Sequence, residues 1–165
     1  MARSEQRIRR RRRGGFELSF PEAERRVLRG LPGQLRELLE ANDPSTARLF
    51  PPAYEGDPER QAEYEGLVRE DLMAQRLGGL AVVEETIEAE RVNEEQLLAW
   101  LGALNDLRLV LGAQLGIRVE TDGEDMAEDD PRAPVFGLYH YLGWLESQAV
   151  DALAQGIDPA GTAPD

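Results

Sequence analysis

Residues 93–116, NEEQLLAWLGALNDLRLVLGAQLG, decide the fold of this chain. Large apolar residues recur three or four positions apart along the whole stretch, at Leu97, Trp100, Leu101, Leu104, Leu107, Leu111 and Leu115. This spacing predicts one amphipathic helix with a wide apolar face. Asn93 is a favourable N-cap for it, and Gly116 is typical of the residue that ends a helix. Because so wide an apolar face must be covered, we expect other helices to pack around it.

Three more helices are predicted on either side of this stretch. They cover about 21–41, about 57–88 and about 134–154. Gly30 and Pro32 interrupt the first pattern and predict a kink or split there, and Gly78-Gly79 is the expected bend of the second. Four main helices joined by short loops predict an all-α protein that folds as an irregular bundle.

One short strand is predicted in addition to the helices. Residues 16–20, FELSF, alternate apolar and polar side chains, as a half-buried strand does. Residues 116–120, GIRVE, carry the same alternation and are the best candidate for its partner. The sequence therefore predicts a minor two-stranded element beside the bundle.

The two ends of the chain differ in composition from the rest. Residues 1–15 are dominated by arginine and have too few apolar side chains to offset the entropy of ordering, so we expect a disordered arginine-rich arm. Residues 156–165 are rich in Gly, Pro and Ala and are expected to form a disordered tail. Residues 16–155 should form a single helical domain, which is long enough to bury a substantial core.

Charge is distributed unevenly along the chain, whose net charge is −13. Residues 1–13 hold seven Arg against one Glu, whereas the rest of the chain holds 12 Arg against 31 acidic residues. Opposite charges on an arm and a body predict different partners for the two parts. The arm should attract phosphates, and the acidic body should favour a protein partner with a basic surface.

The residue types that the sequence lacks exclude several kinds of site. Without cysteine there is no disulfide, thiolate zinc site or thiol redox sensor, and His140, the single histidine, removes most transition-metal and Ser-His arrangements. No phosphate-binding glycine loop, nucleophile elbow or HExxH motif is present. We therefore predict a protein that is not an enzyme and has no cofactor and no metal. An enzyme that uses paired carboxylates such as Glu84 and Glu85 is the alternative.

No run of about 18 apolar residues occurs, so no membrane span is predicted. Pro21, Glu22 and Glu24 fall where an export signal with arginines at its start would need an apolar stretch. The predicted location is the cytoplasm.

The candidate nucleic-acid-binding residues are the arginines of the N-terminal run: Arg7, Arg9, Arg10, Arg11, Arg12 and Arg13. Six neutralised phosphates would make the logarithm of the affinity fall against the logarithm of the salt concentration with a slope of about −5. Such an arm adds affinity and steering but little choice of base sequence, and the motifs of the common DNA-binding folds are missing. The alternative is a solvated tail with no specific role.

A second candidate is a polar cluster inside the most apolar helix, formed by Asn105, Asp106 and Arg108. Asp106 and Arg108 are two positions apart and so cannot share one helix face. Each is expected to reach a different neighbour, either as a buried tie between helices or as an interaction surface. The acidic loop 121–132 lacks the ligand spacing of a calcium-binding loop, so we interpret it as solvated.

Five segments occur in an order and spacing that point to a known family. They are 43–54 (DPSTARLFPPAY), 70–72 (EDL), 99–109 (AWLGALNDLRL), 115–117 (LGI) and 139–145 (YHYLGWL). From about 16 to 154 the chain resembles an actinobacterial family long described as a domain of unknown function. That family is associated with AosR, the mycobacterial oxidative-stress transcriptional regulator.

The resemblance implies a helical, non-catalytic regulatory protein, encoded near the ClpS protease adaptor and cysteine-biosynthesis genes. Members like AosR sense oxidation through a cysteine pair and act with an extracytoplasmic-function sigma factor. The present chain has no cysteine, so the disulfide switch does not carry over to it.

Two functional hypotheses follow. In the first, the protein is a transcription-associated, AosR-like regulator whose acidic body binds a sigma factor or RNA polymerase while the basic arm touches DNA without sequence preference. In the second, it is a protein-only interaction module or adaptor, linked to proteolysis, with an inert tail. We also expect a homodimer or a higher oligomer, because the helix over 94–116 has more apolar width than one neighbour covers.

Overall fold

Four long α-helices and a small antiparallel sheet make up the computed structural model, which describes residues 6–50, 56–117 and 129–155. The helices are α1 (Glu22–Glu40), α2 (Pro58–Thr86), α3 (Glu94–Leu115) and α4 (Ala133–Ala154), with a short 3₁₀ helix at Pro44–Leu49. The strands are β1 (Ile8–Arg10), β2 (Phe16–Leu18) and β3 (Arg91–Val92). The prediction of a helical bundle with a minor strand element is confirmed.

The central element is α3, the helix predicted from residues 93–116. Its N-terminus has the full capping box, in which Asn93 Oδ1 accepts from the Gln96 amide at 2.8 Å and Gln96 Oε1 accepts from the Asn93 amide at 2.9 Å. It ends at Gly116, which has the left-handed φ of 71° that favours glycine. Helices α2 and α4 and the 3₁₀ helix pack against it, so α3 supplies the middle of the core.

The fully buried Trp100 shows how α3 organises this core. Its ring stacks on Phe20 with 5.6 Å between ring centroids, and its Nε1 donates to Thr86 Oγ1 at 2.7 Å. Thr86 Oγ1 donates in turn to the Val82 carbonyl at 2.7 Å. A buried indole N–H is costly without an acceptor, so the end of α2 provides the hydroxyl that Trp100 needs.

The split predicted as one outcome for the first helix is wrong. Helix α1 continues through Pro32. Proline removes one backbone hydrogen bond, but the buried Leu28, Leu31 and Leu35 hold both halves of the helix on the core. Helix α2 likewise continues through Gly78-Gly79.

The predicted partner of the strand at residues 16–20 is also wrong. Strand β2 pairs antiparallel with β1 on one side, where Ile8 lies opposite Leu18, and with β3 on the other, where Phe16 lies opposite Val92. Both edges of β2 are therefore occupied. Within 116–120, Gly116 and Ile117 follow the end of α3, and residues 118–120 lie outside the described residues.

The predicted disorder of residues 1–15 is wrong for residues 6–15. These residues form β1 and the turn into β2, and Ile8 is fully buried in the core. Burial of Ile8, pairing with β2 and the bonds to Glu24, Gln148 and the end of α4 together oppose the ordering entropy, and composition alone does not show these contacts. Residues 1–5 and the predicted tail 156–165 lie outside the described residues. Among the described helices, none is both long and apolar enough to cross a membrane.

Candidate anion-binding cleft

The arginine run is folded into the β1–β2 hairpin. The Arg11 amide donates to the Gly15 carbonyl at 3.0 Å, and the Gly14 amide donates to the Arg11 carbonyl at 3.3 Å. Gly14 and Gly15 have φ values of 97° and 74°, which L-residues rarely adopt, and a Cβ on Gly15 would lie 3.1 Å from the Val92 carbonyl oxygen. Gly14 and Gly15, the last two residues of the predicted arm, are thus the residues that allow a tight turn.

Three of the six predicted nucleic-acid-binding arginines have partners inside the molecule. Arg7 pairs with Glu24 at 2.9 Å and lies over the Trp144 ring, and Arg9 pairs with Glu17 at 2.9 Å. These contacts join β1 to α1, α4 and β2.

Arg10 is the third of these arginines, and it caps the end of α4. Its Nε donates to the Ala152 carbonyl at 2.9 Å and its second guanidinium nitrogen to the Leu153 carbonyl at 3.2 Å. A cation is favourable at a helix C-terminus, where the last carbonyls lack backbone partners. From the other direction, Gln148 Oε1 of α4 accepts the backbone amides of Arg7 at 2.6 Å and Ile8 at 3.0 Å. Arg7, Arg9 and Arg10 therefore stabilise the fold. They do not belong to a disordered arm.

The second half of the run lies at one corner of the sheet. Arg12 and Arg13 are exposed on the turn. Arg11 lines a cleft of about 520 Å³ together with Arg25 of α1 and Arg91 of β3. The remaining lining residues are Glu17, Leu18, Ser19, Phe20 and Glu90. We call Arg11, Arg12, Arg13, Arg25 and Arg91 the arginine corner.

The acidic side chains near the arginine corner do not occupy its guanidinium groups. Across residues 6–50, 56–117 and 129–155, its five side chains make no hydrogen bond or ion pair with another side chain, and the Nε atom of Arg25 is buried without an acceptor. Glu17 is already hydrogen-bonded to Arg9 and to Ser19. The bond to Arg9 lowers the pKa of Glu17 most, the bond to Ser19 lowers it further, and the charge of Arg11 adds a smaller effect in the same direction. Glu88 is bonded to Arg29, which lowers its pKa, and Arg25 acts on it only at longer range. The cations of the corner can therefore receive an anion from outside.

The predicted polar cluster does not come together as one site. Asp106 is buried and accepts from Arg76 of α2 at 2.5 Å, and Arg76 also donates to the Leu49 carbonyl at 2.8 Å. Burial raises the pKa of Asp106, and Arg76 opposes that rise. Arg108 points to α4, where it pairs with Glu146 at 3.4 Å and stacks over Tyr139. Asn105 is exposed. Two of the three residues thus tie α3 to different helices.

The other candidate residues have ordinary surroundings. His140 is exposed on α4 and meets Phe136 edge-on, with 4.5 Å between ring centroids. Glu84 is bonded to Arg36, which lowers the pKa of that carboxyl, whereas a general acid needs a raised one. In the described part of the chain, no group of three or more His, Asp or Glu side chains is placed to hold a metal ion.

Sequence reasoning missed Arg25 and Arg91 as members of the arginine corner. Arg25 lies beside Arg26 near the start of α1 and Arg91 lies in β3, and they line the same cleft as Arg11 because β2 pairs with β3 and is followed directly by α1. No local pattern signals that convergence.

The bond between Glu84 and Arg36 predicts a small acid sensitivity. Because the pKa of Glu84 is lower in the folded state than its ordinary 4.5, its stabilising contribution is complete above that value and is lost as the pH falls through the lowered pKa. Both side chains are partly exposed, so Glu84→Gln should cost less than about 1 kcal/mol at pH 7 and progressively less as the pH falls below 4.5. Urea unfolding across pH measures this. Glu85→Gln, an exposed neighbour, is the matched control, and an equal pH effect in both variants would contradict the prediction.

The fold and the cleft together define a small helical protein, organised around α3, that carries an arginine-rich hairpin. The family described as Domain of unknown function (DUF2017) matches residues 5–153, and the chain belongs to this family. The match begins before β1, so the hairpin is part of the family's domain. No curated protein and no solved structure matches the chain.

Proposed function

We propose that this chain is a non-enzymatic regulatory protein, associated with transcription like AosR, that works by binding other macromolecules. The observation that supports the proposal best is the arginine corner. The fold pairs Arg7, Arg9 and Arg10 internally but leaves five other guanidinium groups together without an acid bonded to them in the described residues. Like charges placed near each other repel, and a bound anion would offset that repulsion, so the corner is suited to binding one.

The chemistry of the corner suits phosphate groups of nucleic acid. A guanidinium group offers parallel N–H donors that match two phosphate oxygens. Arg12 and Arg13 stand out at the turn and can reach a backbone first, while Arg25 and Arg91 line the cleft behind them. Such contacts position a duplex without reading its bases. The corner is a folded surface, in contrast to the flexible arm expected from the sequence.

The remaining surface supports a protein partner of opposite charge. With a net charge of −13, the molecule as a whole is unfavourable for nucleic acid, so a cationic corner would orient it on a duplex. A partner with a basic surface would bind the acidic faces at the same time. The family resemblance suggests a sigma factor or RNA polymerase. Since there is no cysteine, a signal would have to act by a route other than a disulfide.

Fluorescence anisotropy with a short labelled DNA duplex tests the nucleic-acid part. The variant Arg12→Gln/Arg13→Gln removes two exposed charges, and Arg60→Gln/Arg132→Gln removes two exposed charges on α2 and at the start of α4. The first variant should reduce the magnitude of the logarithmic salt slope by about 2, whereas the control should leave it unchanged. Arg25→Gln/Arg91→Gln should weaken binding at every salt concentration.

Two results would contradict the proposal in different ways. Equal salt slopes for Arg12→Gln/Arg13→Gln and for the control would show that the corner does not take part in DNA binding. Absence of any DNA binding at 50 mM salt, together with salt-insensitive binding of RNA polymerase or a sigma factor, would favour the protein-only interaction module.

A further inference from the structure

An exposed stripe runs along the outer face of α4. Its members are His140, Gly143, Trp144, Ser147, Val150, Asp151 and Ala154, spaced three or four positions apart. Trp144 is 40% exposed and Val150 is 49% exposed, although both are large apolar side chains. A groove of about 590 Å³ separates this stripe from α3 and is lined on the α3 side by Leu101 and Arg108. Exposed apolar groups beside an open groove are typical of an interaction surface.

The stripe has a centre of symmetry in sequence. Trp144 and Val150 lie three residues before and three residues after Ser147, and Gly143 and Asp151 lie four residues before and after it. If two α4 helices pack antiparallel about a two-fold axis at Ser147, Trp144 of one copy comes level with Val150 of the other. Each large exposed apolar group then meets an apolar group, twice, which is how a two-fold interface must be built.

Charge on the same face is also self-complementary. The same pairing brings Asp151 of one copy level with Gly143 of the other. Gly143 lies against Arg108, because a Cβ on Gly143 would be only 3.1 Å from Arg108 Nε. Asp151 makes no side-chain hydrogen bond or ion pair within the described ranges, so it can approach this cation from the side opposite its own helix, in addition to Glu146, which pairs with Arg108 at 3.4 Å and lines the same groove. The approach is possible because Gly143 and Ser147 are small where the two helices would cross.

We propose that the α4 face centred on Ser147 binds a second copy of this chain, with Trp144 of each copy beside Val150 of the other and Asp151 facing Arg108. This surface differs from the one expected from the sequence. The apolar face of α3 is largely covered by α2, α4 and the 3₁₀ helix, with Leu101 left at the edge of the α4 groove. The pairing is independent of the proposed nucleic-acid contact, which lies at the arginine corner.

Analytical ultracentrifugation of the full chain tests the pairing. The wild type should sediment at twice the monomer mass of 18.4 kDa. Ser147→Arg, which places a charge on the two-fold axis, should return the mass to that of the monomer. Leu67→Arg is the matched control, because Leu67 is 77% exposed on α2 away from this face, and it should remain dimeric. Circular dichroism on each variant checks that it is folded.

Disulfide trapping gives a second readout, which is clean because the natural chain contains no cysteine. Ser147→Cys lies on the proposed axis and should form a covalent dimer on mild oxidation, whereas Leu67→Cys should not. A wild type that stays at the monomer mass at all concentrations would overturn the inference. So would a dimer that survives Ser147→Arg, or equal trapping of the two cysteine variants.

Discussion

Asp106→Ala is expected to lower the free energy of unfolding by about 3 kcal/mol, because it leaves Arg76 without its carboxylate in a partly buried position. Arg76 joins three elements, since it bonds to Asp106 of α3, belongs to α2, and donates to the carbonyl of Leu49 at the end of the 3₁₀ helix. Its guanidinium also lies 5.8 Å from the centre of the Phe50 ring. Urea unfolding followed by circular dichroism measures the loss.

A double variant separates the value of the pair from the cost of breaking it. Replacing both partners, as in Arg76→Met/Asp106→Leu, removes the unpaired charge, so it should recover most of the stability lost in the single variant. Exposed Asn105, one position away, provides the control, and Asn105→Ala should change stability by less than about 0.5 kcal/mol. A double variant as unstable as Asp106→Ala would show that the ion pair is not the source of the effect.

The raised pKa of Asp106 also makes the stability of the fold depend on pH. The folded state holds the proton more tightly than the unfolded state, so this carboxyl contributes most to stability below its ordinary pKa of 3.8. Its contribution falls as the pH rises through the raised value. The trend is opposite to that of Glu84, whose pKa is lowered by Arg36.

Ile8→Ala is expected to destabilise the protein by about 2–5 kcal/mol, although the residue lies in a segment whose composition is typical of disorder. Ile8 has no exposed surface, and it pairs opposite Leu18 while its amide donates to Gln148. The side chain therefore fills the core between the sheet and α4. Thermal and urea unfolding measure the effect.

The matched control for Ile8→Ala is Arg12→Ala in the same segment. Arg12 is exposed on the turn, so its replacement should change stability by less than about 0.5 kcal/mol. If Ile8→Ala lost no more stability than Arg12→Ala, β1 would not be packed against the core. The same contacts explain why deletion of the first 14 residues is a poor test of nucleic-acid binding, since it removes a strand along with the charges.

The helices were predictable from the sequence, and their ends were accurate to about two residues. Helix α3 was expected to begin after Asn93 and stop at Gly116, and its capping box and left-handed glycine are found there. These signals are local, because a cap needs only residues within one turn of the helix end. Helices α1 and α2 continue through Pro32 and Gly78-Gly79, so the local cost of these residues does not end either helix.

The arginine corner was half predictable. Arg11, Arg12 and Arg13 belong to the run that the sequence indicated, but the separation of these residues from Arg7, Arg9 and Arg10 was not visible. Residues 8–10 form β1 and residues 11–15 form the turn into β2, and a row of consecutive arginines does not show where the strand ends and the turn begins. Glu24, Gln148 and the end of α4 then determine which arginines become structural.

By itself, the sequence determined the helical class, the position of α3, its two caps, and the lack of any cysteine chemistry. These properties depend on composition and on residues within a few positions of each other. Only the tertiary structure decided which strands pair with β2, that residues 6–15 are ordered, and which residues belong to the arginine corner. The physical reason is distance along the chain: the amide of Ile8 meets Gln148 across 140 positions, and no local pattern records which distant acceptor will satisfy a donor.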